Sequence, residues 1–155
     1  MDERWPDLPT RRLVLLGAFG SGLALCATGP SAASPATMDQ AIHTLVGEAA
    51  VNRGKVKLDV PPIVENGNTV PLTVTVDSPM SETDHVTAIH VFNEKNPQPY
   101  VAAFELGPRA GRAAVSTRIR LADSQRVVVI ARLNDGSFWL TSADVIVTLA
   151  ACIEG

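Results

Sequence analysis

The chemistry available to this 155-residue chain centres on a thiol. There are two cysteines, Cys26 and Cys152. Cys26 falls within a leader-like N-terminal segment, so a processed chain keeps Cys152 alone, three residues before the last position, and cannot form an intrachain disulfide. An odd thiol in an exported protein pairs with another chain or stays free and reactive. A thiolate near a chain end is a nucleophile that can form mixed disulfides, thiosulfonates or metal bonds. The competing reading is an incidental tail cysteine that reacts with nothing in particular.

The other chemistry-bearing residues point nowhere as clearly. His85 and His90 are five apart on or near a strand, so alternation sends them to opposite faces and away from a shared metal, while His43 sits on a helix-like segment. For each histidine the expectation is a solvated or hydrogen-bonded side chain. Arg109, Arg112, Arg118 and Arg120 could attract anions, although alternating arginines on one strand more commonly mark a solvated face. After residue 33 there is no Gly-rich phosphate loop, CxxC, HExxH or GxSxG, which leaves nucleotide, zinc and serine-hydrolase readings without their required residues. No cofactor is called for.

Arg11-Arg12, the uncharged run Leu13 to Ala27 and then Gly29-Pro30-Ser31-Ala32-Ala33 have the order of an export signal: basic, apolar, small-residue cleavage site. Thr10 before the arginines and Leu13-Val14-Leu15 after them fit the twin-arginine type, with a general secretory signal as the alternative. The apolar run is short for a bilayer of ~30 Å and ends in breakers, so no membrane association is expected after cleavage. Cleavage after Ala33 is expected, with Ala36 as a second option; Leu25 before Cys26 departs from a lipobox. Residues 1–33 are thus expected to be a twin-arginine-type signal peptide that directs export. Removing them takes away Arg4, Arg11 and Arg12 together with Asp2, Glu3 and Asp7, so the balance stays at -3, a sign that disfavours nucleic acid as a partner.

The elements that must position Cys152 are mostly strands. Met38, Ile42, Leu45, Val46 and Ala49 recur at helical spacing with Thr37 or Asp39 as cap, and Gly54 closes that region. From there strands follow: Val56 to Val60, Val70 to Val76 and Ala113 to Leu121 alternate with period two, Val86 to Phe92 is apolar on both faces, and Tyr100 to Leu106, Val127 to Leu133, Phe138 to Leu140 and Val145 to Leu149 complete the series. Asp135-Gly136 is a hairpin signal because glycine accepts positive φ. Roughly eight short strands with one helix predict an immunoglobulin-like β-sandwich with an N-terminal helix over residues 34–149, a closed barrel being the alternative, followed by a C-terminal cysteine arm at 150–155. Open strand edges in such a domain invite a partner.

Several stretches resemble the SoxY family of thiosulfate-oxidation sulfur carriers. They are Leu58-Asp59-Val60-Pro61-Pro62-Ile63-Val64-Glu65-Asn66-Gly67-Asn68-Thr69-Val70-Pro71, Val76-Asp77-Ser78-Pro79-Met80, Asn96-Pro97-Gln98-Pro99-Tyr100 to Phe104, and Ser116-Thr117-Arg118-Ile119-Arg120-Leu121-Ala122 with Ser124-Gln125 after it. A final strand leading to a terminal cysteine completes the likeness. It implies a non-enzymatic periplasmic carrier that pairs with a SoxZ-like subunit and presents Cys152, as the attachment point for thiosulfate-derived sulfur, to the pathway's haem oxidase, sulfate-releasing hydrolase and sulfur dehydrogenase.

The family arm reads Gly-Gly-Cys-Gly-Gly, whereas this chain has Ala150-Ala151-Cys152-Ile153-Glu154-Gly155. Alanine narrows the backbone freedom that glycine provides, and Ile153 adds a branched side chain beside the sulfur. Glu154 adds negative charge near a thiol that must meet an anion. Slower loading than in a glycine-armed carrier is expected. A second reading is a non-carrier paralogue, an interaction or scaffold subunit that keeps the same partner. A metal or haem accessory role has too few ligands with one cysteine and no neighbouring histidine.

Overall fold

The structure is a computed structural model and describes residues 35–149. The expected signal peptide at 1–33 and the arm at 150–155, with Cys152, lie outside the described residues.

The chain opens with helix α1 (Pro35–Val46), followed by β1 (Val51–Asn52), β2 (Val56–Asp59), β3 (Ile63–Asn66), β4 (Val70–Val76), β5 (Val86–Asn93), β6 (Tyr100–Glu105), β7 (Ala114–Ile119), β8 (Gln125–Leu133) and β9 (Phe138–Leu149). A single 3₁₀ turn, Pro108–Ala110, lies between β6 and β7. Two sheets form a sandwich. The larger runs β1-β9-β8-β5-β6 with β3 also on β9, and the smaller runs β2-β4-β7.

The period-two pattern is what closes the sandwich. In β4, Val70, Leu72, Val74 and Val76 are buried while Pro71 and Thr75 are exposed. Ile89 and Val91 of β5 and Val127, Val129 and Ala131 of β8 meet them from the other sheet, with Leu121, Leu133 and Val145 in the same cluster. Each such aliphatic side chain contributes about 1.5–3 kcal/mol by leaving water. The opposite face of β5 and β8 is apolar too, because α1 covers it: Met38 packs with Phe92, Val128, Ile130 and Phe138, flanked by Ala41, Ile42, Leu45 and Leu140. That second burden explains why β5 and β8 read as continuous apolar runs rather than alternating ones.

Four details depart from the sequence expectation. The helix starts at Pro35, which places Thr37 and Asp39 inside it rather than at its cap. It ends at Gly47, whose φ of 58° and N–H bond to the His43 carbonyl (2.8 Å) turn the chain, so the region closes before Ala49 and well before Gly54. The short strands β1 and β3, unmarked by long alternation, pair in parallel with β9. Finally, Phe138–Leu140 and Val145–Leu149 are one strand, because Thr141 to Asp144 contain no breaker and β8 pairs along it from Arg132↔Phe138 to Gln125↔Val145. The Asp135-Gly136 turn forms as expected, with Gly136 at φ 82° and Asp135 Oδ1 accepting from the Ser137 N–H at 2.8 Å.

Met38 ties α1 to the sheet and is 1% exposed. Met38→Ala should lower the unfolding free energy in urea by about 2–5 kcal/mol without changing the midpoint slope markedly. A loss below about 0.5 kcal/mol would show that α1 is not docked as described.

Candidate functional site

The described residues that precede Cys152 in sequence are the last ones of β9. β8 begins at Gln125, opposite Val145, so β9 outruns it by Ile146 to Leu149. These four residues need other partners for their backbone groups. Three devices supply them. β3 pairs in parallel, Ile63↔Ile146, Val64↔Val147 and Asn66↔Leu149. The Ser124 hydroxyl accepts from the Val147 N–H at 2.9 Å and donates to its carbonyl at 3.3 Å. The Gly67 N–H donates to the Leu149 carbonyl at 2.9 Å, and the Gly67 carbonyl accepts from the Leu121 N–H at 2.8 Å. Residue 150, the first of the arm, therefore follows a strand end held from both sides.

Side chains from the loops at this end form a polar clamp. Asn96 donates through Nδ2 to the Arg120 carbonyl (2.8 Å) and accepts at Oδ1 from the Ala122 N–H (3.0 Å) and from Gln125 Nε2 (2.9 Å). Gln125 Oε1 in turn accepts from the Lys95 N–H at 2.7 Å. Asn66 Oδ1 accepts from the Asn68 N–H at 2.8 Å and shapes the turn that carries Gly67. The Lys95 ammonium reaches Asp123 at 2.9 Å, and this bond and the Ser124 N–H hold that carboxyl below the usual aspartate range. The amide and hydroxyl residues of these loops thus act as backbone clamps. Sequence reading did not assign them this role, because single polar residues in loops carry no periodicity.

Ile63 and Ile146, neighbours in register, form an exposed apolar pair at 60% and 54%, and Leu149, which alternation sends to the other face of β9, is 67% exposed. The four arginines do not converge. Arg109 and Arg112 precede β7, whereas Arg118 and Arg120 lie at its far end, some ~20 Å along an extended strand of this length. Arg118 and Arg120 are at the arm's end of the sandwich, since Leu121 shares Gly67 with Leu149.

The histidines also stay apart. His43 approaches Glu48 at 3.4 Å on an exposed helix end, and His85 Nδ1 bonds the Ser81 carbonyl at 3.0 Å. His90 is buried in the larger sheet, with Nδ1 2.8 Å from the Tyr100 hydroxyl and Nε2 without a hydrogen-bond partner. Among the described residues no three metal-binding side chains gather. Burial, then the charge of Arg132, lower the His90 pKa, partly opposed by Glu105.

The profile of the family described as "Sulfur oxidation protein SoxY" matches residues 42–152, so the match runs through the described fold and ends on Cys152. The chain belongs to the SoxY family. The structure of the sulfur carrier protein SoxY from Chlorobium limicola f thiosulfatophilum is similar, with 31% identity and a TM-score of 0.62 over 75% of this chain and 100% of that one. Superoxide reductase (neelaredoxin) from Ignicoccus hospitalis shares the fold at 16% identity, with a TM-score of 0.55 over 61% of this chain and 80% of its own. A putative superoxide reductase from Thermotoga maritima does so at 23% identity and 0.51, over 66% and 89%. No curated protein matches. As a SoxY, the chain is a sulfur-oxidation carrier protein built on a β-sandwich.

His90 yields a pH prediction. Its folded pKa is depressed, so its contribution to stability is present above the unfolded value of about 6.5 and is lost as pH falls through the folded value. The thermal midpoint of the wild type should drop as pH falls below about 6.5, and His90→Gln should flatten that drop. Parallel curves for the two proteins would show that His90 is not held neutral by burial.

Proposed function

We propose that this SoxY works in the periplasm as a covalent carrier, holding thiosulfate-derived sulfur on Cys152 while pathway enzymes process it. The observation that carries the reading is the family match extending to Cys152 from a strand end that the fold holds on both sides. A carrier benefits from a rooted stalk before its thiol, so that a docked enzyme finds the attachment point in one place. In the loading step the Cys152 thiolate and the outer sulfur of thiosulfate form an S–S bond and give up two electrons to the haem oxidase. The carrier keeps the sulfonate-bearing adduct, and no catalytic group of its own is required.

Export is supported by the basic, apolar and small-residue order of residues 11–33, with the twin-arginine route suited to a subunit that folds with its partner first. The partner is a SoxZ-like subunit. The exposed Ile63 and Ile146 pair is apolar surface of the kind that association removes from water. One feature favours the second reading, a scaffold paralogue whose thiol is not loaded: Ala150, Ala151, Ile153 and Glu154 stand where the family arm has glycines.

The two readings separate on the thiol. With thiosulfate, the haem oxidase and a SoxZ-like subunit, the wild type should gain a sulfur adduct that Cys152→Ser lacks, and the variant should fold and bind its partner unchanged. An adduct that persists in the serine variant would refute the carrier role of Cys152. A wild type that binds the partner and never gains an adduct would establish the scaffold reading.

A further inference from the structure

We infer that the edge of β9 between β1 and β3 is a docking slot for an extended segment of the partner subunit, one that carries a basic residue. This deepens the partner reading above and rests on it, since the occupant is the SoxZ-like chain.

The two edges of β9 are paired unequally. On one, β8 runs beside it from Phe138 to Val145. On the other, β1 meets only Phe138 and Trp139, and β3 meets it from Ile146 onward. Between them residues 140–145, about 20 Å of strand, have no strand neighbour on that edge among the described residues. The chain leaves this edge after Asn52 and returns at Ile63, and the intervening strand β2 pairs with β4 in the smaller sheet.

The open backbone groups follow from the pairing. The Ile146 N–H bonds the Pro62 carbonyl at 2.8 Å on the β3 side, whereas the Val147 N–H turns to Ser124 on the β8 side. Backbone direction alternates along a strand, so the N–H and C=O groups of Ser142 and Asp144 point the same way as those of Ile146, into the gap. Among the described residues neither has a backbone hydrogen bond on that edge, and both residues are exposed. A row of open N–H and C=O groups is a template for strand addition. The rival explanation is that they bond only water.

The side chains specify the occupant. On the outer face β9 presents Ser142, Asp144 and Ile146, and β3 presents Ile63 and Glu65 beside them. The exposed Ile63 and Ile146 pair therefore lies between two exposed carboxylates. Arg126, opposite Asp144 on β8, reaches Glu94 at 3.5 Å. Lys55 sits over the Trp139 ring at 5.0 Å, and Trp139 faces the other way from Asp144. Arg53 follows β1, at the far end of the gap. A segment with an apolar residue over the isoleucines and a Lys or Arg beside Asp144 is complementary to this surface. A second copy of this chain does not fit through its own β9, which carries β1 and β3 on the same edge and would set Asp144 against Asp144.

Proline at position 142 tests the slot. The Ser142 N–H faces the gap rather than β8, so Ser142→Pro keeps the β8 ladder and closes the edge to an added strand. With the signal-processed chain and a purified SoxZ-like subunit, Ser142→Pro should weaken binding at least about 10-fold while its thermal midpoint stays near that of the wild type. Asp144→Lys should weaken binding about 3- to 10-fold at low salt, and added salt should shrink the difference. Hydrogen exchange gives a readout that needs no variant: the Ser142 and Asp144 amides should exchange rapidly in the isolated chain and slowly in the complex. Equal binding by wild type and folded variants, or amides that stay fast in the complex, overturns the proposal and leaves the partner reading standing. Amides already protected in the isolated chain overturn it as well, because the slot is then filled from within. A wild type that does not bind the SoxZ-like subunit refutes the partner reading, and the slot with it.

Discussion

Ile146 to Leu149 extend past the end of β8, and everything at the arm's end of the molecule depends on how those four residues are held. An unpaired strand end exposes backbone donors and acceptors and frays. Here the parallel strand β3 covers one edge, the Ser124 hydroxyl replaces the missing β8 residue on the other, and Gly67 closes the last carbonyl. The remaining loops follow from that arrangement. Asn96 and Gln125 hold the segment that carries Leu121, because Leu121 must meet Gly67 for Gly67 to meet Leu149.

The constraint also sets a division of labour between the sheets. β5 and β8 are buried on both faces, by the core on one side and α1 on the other, and form the part least able to move. Where β9 outruns β8, the support comes from hydrogen bonds of Ser124, Gly67 and β3 together with the packing of Val64, Leu121 and Val147. Superoxide reductases share the sandwich at identities too low to carry function, so the fold alone does not define a carrier.

Much of the core was legible in the sequence because alternation and burial coincide in β4, and because Asp135-Gly136 can only turn. The apolar-run strands β5 and β8 were equally visible, although nothing in them announced that a helix would lie across one face. What escaped was local in a different way. β3 follows Pro61-Pro62 and has four residues, too few for a period, and its role is visible only once β9 lies beside it. The arginine set read as one cluster in sequence, and the length of β7 splits it into two ends. Cys152 lies outside the described residues, and Asn96, Ser124 and Gln125, which carry no period, gain their meaning only as clamps once the loops are in place.

Whether this SoxY-family protein carries sulfur on Cys152 is tested most directly by the intact mass of the native protein isolated without reductant from thiosulfate-grown cells. A carrier gives a population heavier than the processed chain by a sulfur-containing adduct, mapped by fragmentation to Cys152 and removed by thiol reductant. A homogeneous, unmodified thiol at Cys152 under those conditions would contradict it.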